Sequence, residues 1–167
     1  MTGFSTTAQL AETTAYYRKY AEEQCGWVPQ PENIGVSRHT YVSTTNAKAR
    51  EECEKYVLDY YRETATQHER EMLRSIQQAK STGRSFSYKT QSHIGHPRGD
   101  NVTYERLLGD GFCIIGDPDT VTQKVKEQQE ALGAGILVTY LPFGSMEPQE
   151  AIKSIELFAK EVMPNLR

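Results

Sequence analysis

The sequence predicts a helix-rich α/β protein built around a parallel sheet. Two observations lead to this fold class. Amphipathic stretches with apolar residues at three- and four-residue spacing alternate with short β-branched and aromatic runs. The segments between these runs are long enough to hold helices, as the right-handed βαβ connections of parallel strands require. At 167 residues the chain fits one domain, residues 1–167, since domains most often have about 100–150 residues and can be larger.

The chain opens with a predicted helix over residues 7–24. Leu10 and Tyr17 belong to its apolar stripe, and Gly26 follows it as a stop signal. After a turn-rich stretch comes IGVSRHTYVST, whose β-branched and aromatic content predicts a strand over residues 34–44. This strand leads into residues that commonly cap helices, so a strand-to-helix unit is expected here.

A long amphipathic helix is predicted over residues 47–76, with a break near residues 64–66. The next stretch, residues 81–102, contains Ser, Gly and His and little periodic apolar content, which predicts an inserted loop. The apolar stripe of the long helix consists of Cys53, Tyr56, Val57, Tyr60 and Tyr61.

The segment GFCIIGDPDTV predicts a short strand, a turn and a helix start. Asp117 can accept a backbone hydrogen bond there, and Pro118 suits the first helical position. That helix continues to about residue 132, and the apolar run ILVTYLPF that follows is typical of a parallel strand covered on both faces. A last helix should carry one apolar face made of Ala151, Ile155, Phe158, Ala159 and Val162.

Composition and charge exclude several classes of function. The net charge is -3 with acidic and basic residues interleaved, so no basic patch for nucleic acid is present. No apolar run approaches the roughly 18 residues that a membrane helix needs, and the first residues do not form a secretion signal, which predicts a cytoplasmic protein. Cys25, Cys53 and Cys113 contain no C-x-x-C pair, so reduced, packed thiols are expected.

Several motifs in the chain resemble one family. The helix start GDPDTV, the step LGAG before the last strand, the turn FGSM and the ending SIELFAKEVMPNLR are similar to the C-terminal region of luciferase-like flavin-dependent monooxygenases. Upstream, SRHTYVSTTNAKAR resembles an earlier strand and helix of the same family. The resemblance covers most of the chain and is weakest in the inserted loop.

The resemblance implies a partial (β/α)8 TIM barrel, formed by the last βα units. Complete members are about twice as long, at or above the roughly 250 residues usual for this barrel, and their first five or so strands have no counterpart here. Reduced FMN, or the deazaflavin F420 in some relatives, reacts in the family at the carboxyl ends of the strands. Three strands would leave an apolar edge, so a homo-oligomer or the missing half of the barrel is expected to complete the fold.

The strand SRHTYVS supplies the first candidate site residues. Ser37, His39 and Tyr41 alternate onto one face, which is polar enough to line a site. By resemblance His39 corresponds to an inward histidine near flavin or substrate, and its type suits proton donation or hydrogen bonding. A structural histidine satisfied by its neighbours is the alternative. Ser37 stands where some sulfonate-cleaving members carry an arginine, which argues against a sulfonate substrate.

The inserted loop supplies a second group, His93, His96 and Arg98. The family often has a mobile loop in this position that closes over flavin and substrate and excludes water. These three residues are therefore lid candidates, with solvated loop side chains as the alternative. The H-x-x-H spacing has no third or fourth ligand at a recognisable distance, so no metal site is predicted.

Two further positions lie at strand ends. Tyr140, near the end of the last strand, is a candidate for cofactor binding, although it could equally belong to the core. The turn at residues 116–120 precedes a helix, but its two aspartates would repel a phosphate, so we interpret it as a structural cap.

Two functions from different classes follow. The first is an oxidoreductase, a flavin-dependent monooxygenase segment that uses reduced flavin and O2 on an organic substrate, with His39 as its acid/base or hydrogen-bonding group. The second is a catalytically silent half-barrel that functions only as an oligomer or a non-enzymatic homologue.

Overall fold

The protein folds around a three-stranded parallel sheet in which the strand order is β2-β1-β3. The structure is a computed structural model and describes residues 5–82 and 101–166. Its helices are α1 (Thr7–Cys25), α2 (Asn46–Ser81), α3 (Tyr104–Gly109), α4 (Pro118–Leu132) and α5 (Pro148–Leu157), and its strands are β1 (Gly35–Val42), β2 (Cys113–Gly116) and β3 (Ile136–Tyr140).

Strand β1 lies in the centre of the sheet. His39 is opposite Cys113 of β2 on one side and Tyr140 of β3 on the other. The connection from β1 to β2 therefore runs in one direction across the sheet, and the connection from β2 to β3 runs back. Because right-handed crossovers of opposite direction place their helices on opposite faces, helices pack on both sides of the sheet. The predicted helix-rich α/β class with a parallel sheet is confirmed, but β2 and β3, consecutive in the chain, are not neighbours in the sheet.

Separate apolar clusters lie on the two faces of the sheet. Helix α2 packs on one face, where Val57 and Tyr61 meet Ile115 of β2. Helix α4 packs on the opposite face, where Val121 and Val125 meet the strands. Within the described residues, Cys53 and Cys113 are buried thiols as predicted, whereas Cys25 is exposed at the end of α1.

Helix α1 confirms the first prediction to within a residue. Thr6 and Gln9 form a reciprocal capping box at its start, and Gly26 ends it in the left-handed conformation with a φ of 69°. Its buried side chains include Leu10 and Ala21. Tyr17, predicted on the same stripe as Leu10, is exposed instead, as are Tyr16 and Tyr20.

Helix α2 is longer than predicted and has no break. The expected interruption near residues 64–66 is wrong because the threonine hydroxyls are satisfied within the helix. Thr64 Oγ1 donates to the Tyr60 carbonyl at 2.8 Å, and Thr66 Oγ1 donates to the Arg62 carbonyl at 2.9 Å. The helix extends to Ser81, so it reaches the start of the predicted loop. Most of that loop lies outside the described residues.

The start of α4 is the structural cap that the sequence predicts. Asp117 Oδ1 accepts a hydrogen bond from the Thr120 amide at 2.8 Å, and Pro118 occupies the first turn. Asn46, at the start of α2, adds a link between the two helices. Its Oδ1 accepts from the Asp117 amide at 2.9 Å, and its Nδ2 donates to Thr120 Oγ1 at 3.0 Å.

Strand β3 differs from its prediction in one respect. Its apolar run predicts cover on both faces, but Ile136, Val138 and Tyr140 are 48%, 48% and 50% exposed. Helix α2 covers the face of β1 and β2 and does not extend over β3. One face of β3 is therefore an open apolar surface in the described part of the chain, as expected when only three strands are present.

Candidate functional site

The candidate site lies on the α2 face of the sheet, in the carboxyl half of β1. The strand alternates as predicted: Ser37, His39 and Tyr41 share this face, and Arg38 lies on the other. Register places Tyr140 of β3 beside His39. In parallel sheets ligands bind outside the carboxyl ends of the strands, so this is the part of the sheet where a site is expected.

His39 is enclosed by aromatic rings that we call the His39 cage. The imidazole is only 5% exposed. Phe143 stacks on it with ring centroids 5.3 Å apart, and Tyr60 and Tyr140 lie 4.7 and 5.4 Å away. The fourth ring, Tyr61, is at 5.6 Å. Three of the rings are buried or half-buried, while Tyr140 is 50% exposed, so among the described residues the cage is most open to solvent on the β3 side.

Hydrogen bonds fix the histidine within the cage. His39 Nδ1 lies 3.1 Å from Tyr61 Oη, and this hydroxyl is also 3.3 Å from the Phe112 carbonyl. Cys113, opposite His39 in β2, is buried beside this pair. The chain thus places His39 in a buried polar network formed by α2 and β2.

Burial changes the protonation of His39. Desolvation, and after it the positive charge of Arg38, lower the pKa of His39 to about 4. The imidazole is therefore neutral at neutral pH and suits hydrogen bonding. The proton donation near neutral pH that the sequence suggests does not fit this environment.

Tyr41 lies deeper than its neighbours on the same face. It is 2% exposed, and its hydroxyl is 3.1 Å from Glu52 Oε2 and 3.3 Å from Glu150 Oε2. Burial, together with these two carboxylates, raises the pKa of Tyr41 well above its usual value. The hydroxyl joins α2 and α5 to β1, so the structure gives Tyr41 a packing position apart from the open surface.

Ser37 and Tyr140 lie closer to the surface. Ser37 is half-buried and pairs in register with the exposed Val138. The structure therefore brings Ser37, His39 and Tyr140 together along one face. The other predicted site residues, His93, His96 and Arg98, lie outside the described residues.

The sequence analysis did not identify Arg38, which has no exposed surface. Its Nε donates to Gln128 Oε1 at 2.9 Å, and its Nη1 donates to the Ser5 carbonyl at 3.3 Å. Nη2 has no partner in the described part of the chain. Burial lowers the pKa of Arg38 to about 10, so the side chain remains a cation behind His39. Its only sequence signal was an arginine at an inward strand position.

The opposite face of the sheet contains a cavity of about 200 Å³ between α4 and the amino ends of β1 and β3. This volume is below the roughly 300–1,000 Å³ usual for small-molecule sites. His39 is not among the residues that line it. Its lining includes Val36, Val125, Gln128, Ala134 and Leu137.

Residues 5–82 and 101–166 contain no group of three metal-ligating side chains that could hold an ion. The helices in these ranges also lack the combination of length and apolar character that crossing a membrane requires.

Fold and site together define a parallel α/β protein of the βα-unit class, with a histidine site near the carboxyl end of the central strand. Residues 1–135 match the family described as luciferase-like monooxygenase. The chain belongs to this family, as the sequence motifs predicted. The matched range ends before β3, so it does not include the FGSM turn or the ending SIELFAKEVMPNLR.

Two solved structures resemble the whole chain. One is a monooxygenase from Streptomyces bottropensis, with 18% identity and a TM-score of 0.61 over 99% of this chain and 40% of that protein. The other is the oxygenating constituent of 3,6-diketocamphane monooxygenase from the CAM plasmid of Pseudomonas putida, a type II Baeyer–Villiger enzyme in complex with FMN. It has 23% identity and a TM-score of 0.62 over 98% of this chain and 42% of that protein.

The two likenesses show the fold. The chain spans about two fifths of the length of these solved structures. No curated protein matches it with significant similarity.

Proposed function

We propose that the chain is the C-terminal part of a flavin-dependent monooxygenase, in which β1 and β3 form one wall of the flavin site. The remaining strands of a (β/α)8 barrel would come from another segment or chain. The observation that carries the proposal is the open apolar row of β3 beside the buried His39, at the carboxyl half of parallel strands. Family membership and the FMN complex of one structural neighbour support it.

The residues of this wall suit the planar ring of a flavin better than its phosphate. Tyr140 and Val138 offer half-exposed apolar surface, and Ser37 adds a hydroxyl at the same height of the sheet. The side chains that β1, β2 and β3 direct to this face include no lysine or arginine. The phosphate of FMN is therefore assigned to groups outside this wall. F420, whose ring system is similar, would meet the same surface.

This chain would contribute to the reaction by binding the flavin ring and by excluding water from it. Reduced flavin, when bound, supplies the electrons that activate dioxygen for an organic substrate. Tyr140 would orient the ring, and the buried Phe143 would keep water from its inner edge. His39, neutral at neutral pH because of its burial and of Arg38, would act through a hydrogen bond.

A flavin titration tests the proposal on the chain itself. Quenching of flavin fluorescence should show binding in the micromolar range, and riboflavin should bind as well as FMN because the wall does not hold the phosphate. Tyr140→Ala should weaken binding roughly three- to tenfold, the usual range for loss of one aromatic contact. Ile155→Ala, which also removes an exposed apolar side chain, is the control and should bind normally. Absence of quenching up to millimolar flavin would overturn the proposal.

The second candidate is a silent half-barrel that associates through its open surface. The exposure of Ile136, Val138 and Tyr140 is the observation that favours it, since contiguous apolar surface of this kind often marks an interface. Light scattering during the same titration separates the two. An oligomer that does not bind flavin, and becomes monomeric in Val138→Glu, supports the silent form.

A further inference from the structure

Arg38 is a buried cation whose hydrogen-bond partners are uncharged. Its side chain has no exposed surface. Nε donates to Gln128 Oε1 at 2.9 Å, and Nη1 lies 3.3 Å from the Ser5 carbonyl and 3.4 Å from the Ser37 carbonyl. Nη2 has no partner among the described residues, and the ion pairs formed by these residues do not include Arg38. Buried charges are usually paired with an opposite charge, so the described chain leaves this cation without a counter-ion.

The uncharged partner Gln128 is held in place from its other end. Its Nε2 donates to the Gly111 carbonyl at 3.2 Å, which directs Oε1 to Arg38. The amide is nearly buried, with an exposed fraction of 6%. A glutamate at this position would have almost the same shape and would neutralise the guanidinium. Because the chain has an amide here, the positive charge of Arg38 stays unbalanced.

This charge lies directly behind the proposed flavin wall. The contact of Nη1 with the Ser37 carbonyl places the guanidinium against the backbone of β1. The Ser37 side chain points to the other face of the sheet, where Val138 and Tyr140 form the open row. The backbone of one sheet therefore separates the cation from the wall. Since Arg38 and His39 are both buried, little water can screen the charge.

Groups on the far face of the sheet respond to the same charge. Desolvation is the main cause that lowers the pKa of His39, and Arg38 adds to it. Burial raises the pKa of Tyr61 and of Cys113, and Arg38 opposes the rise in both. In each case the cation favours the form of the group that carries less positive or more negative charge.

We propose that Arg38 is a specificity-determining residue, whose unbalanced charge makes the wall prefer a flavin ring with a negative charge over the same ring in a neutral state. The bound ligand would then supply the counter-ion that the described chain does not. The guanidinium acts through the sheet and does not touch the ligand. This inference rests on the proposed function, because it concerns the ring bound at this wall.

Two oxidised flavins that differ in ring charge test the preference in the unmodified protein. At pH 7 the ring of riboflavin is neutral, whereas the ring of 8-hydroxyriboflavin is an anion, and neither carries a phosphate. In absorbance titrations the anionic flavin should bind roughly tenfold more tightly, the scale expected for a unit charge about 10 Å away at an effective dielectric constant of about 20. Equal affinities would overturn the inference and leave the proposed function standing. Absence of binding by both flavins up to millimolar concentration would overturn the two together.

Gln128→Glu tests whether Arg38 is the source of the preference. The new carboxylate balances the guanidinium, so the ratio of the two affinities should approach one while riboflavin binds as before. Arg38→Gln removes the charge itself and should give the same loss of preference. Gln129→Glu adds an equal charge at the exposed neighbouring position of α4 and is the matched control, which should keep the ratio. An unchanged ratio in Gln128→Glu and Arg38→Gln, or an equal loss in Gln129→Glu, would overturn the role of Arg38.

Discussion

The two halves of one sheet face differ sharply. Over β1 and β2, helix α2 buries the surface, and His39 is 5% exposed. Over β3, Tyr140, which pairs in register with His39, is 50% exposed. The same face thus combines a closed half, where burial and Arg38 keep His39 neutral at neutral pH, with an open half that offers apolar contact. The proposed flavin wall would use both properties, which meet at the edge of the surface that α2 covers.

The largest expected difference between the halves is in stability. Phe143→Ala should lower the free energy of unfolding by about 3–5 kcal/mol, because it empties a fully buried position in the closed half. Tyr140→Ala, which truncates another ring of the same cage, should cost below about 1 kcal/mol, since its side chain is half-exposed. Urea denaturation of both variants measures the contrast. Equal losses would show that the open half is packed in solution.

A second difference is in the response to acid. His39 has a pKa lowered from 6.5 to about 4 by burial and by Arg38, so the unfolded chain binds a proton more readily than the folded protein between these values. The contribution of His39 to the free energy of unfolding should therefore be fully present above pH 6.5. It should fall as the pH drops toward 4, by at most about 3 kcal/mol.

The contribution of His39 is separated from that of the carboxylates by a variant. The difference between the pH–stability curves of the unmodified protein and His39→Gln should decline between pH 6.5 and 4 and be flat above. If the difference between the two curves does not change with pH, His39 has the same pKa in the folded and unfolded chain. The closed half would then not shield His39 from solvent.

Patterns of neighbouring residues in the sequence predicted the elements on both halves of this face, but not the long-range contacts that distinguish the halves. Alternation along β1 placed Ser37, His39 and Tyr41 on one face, and periodicity predicted α1 and α4 closely, because these features depend on neighbours in the chain. The contact of His39 with Tyr61 and that of Arg38 with Gln128 join residues 22 and 90 positions apart. Such pairs depend on the strand order β2-β1-β3, which periodicity does not encode.

The same limit explains two of the differences between the predicted and the observed elements. The run ILVTYLPF predicted a doubly covered strand because apolar content reports the tendency to be buried, not the presence of a partner. The break expected near residue 64 is absent because α2 continues through it, and Thr64 Oγ1 donates to the Tyr60 carbonyl within the helix. In both places a contact, or its absence, outweighed the local preference.

The smallest expected effect concerns the strand ends. Asn46 ties the ends of β1 and β2 together through the Asp117 amide and the Thr120 hydroxyl, and it is exposed. Asn46→Ala should cost about 0.5–1.5 kcal/mol, the usual net value of hydrogen bonds of this kind. Gln77→Ala, an exposed amide later in α2, is the control and should cost less. Equal losses of unfolding free energy in the two variants, measured by urea denaturation, would show that the Asn46 link does not stabilise the closed half. The burial of His39 would then depend on the packing of α2 alone.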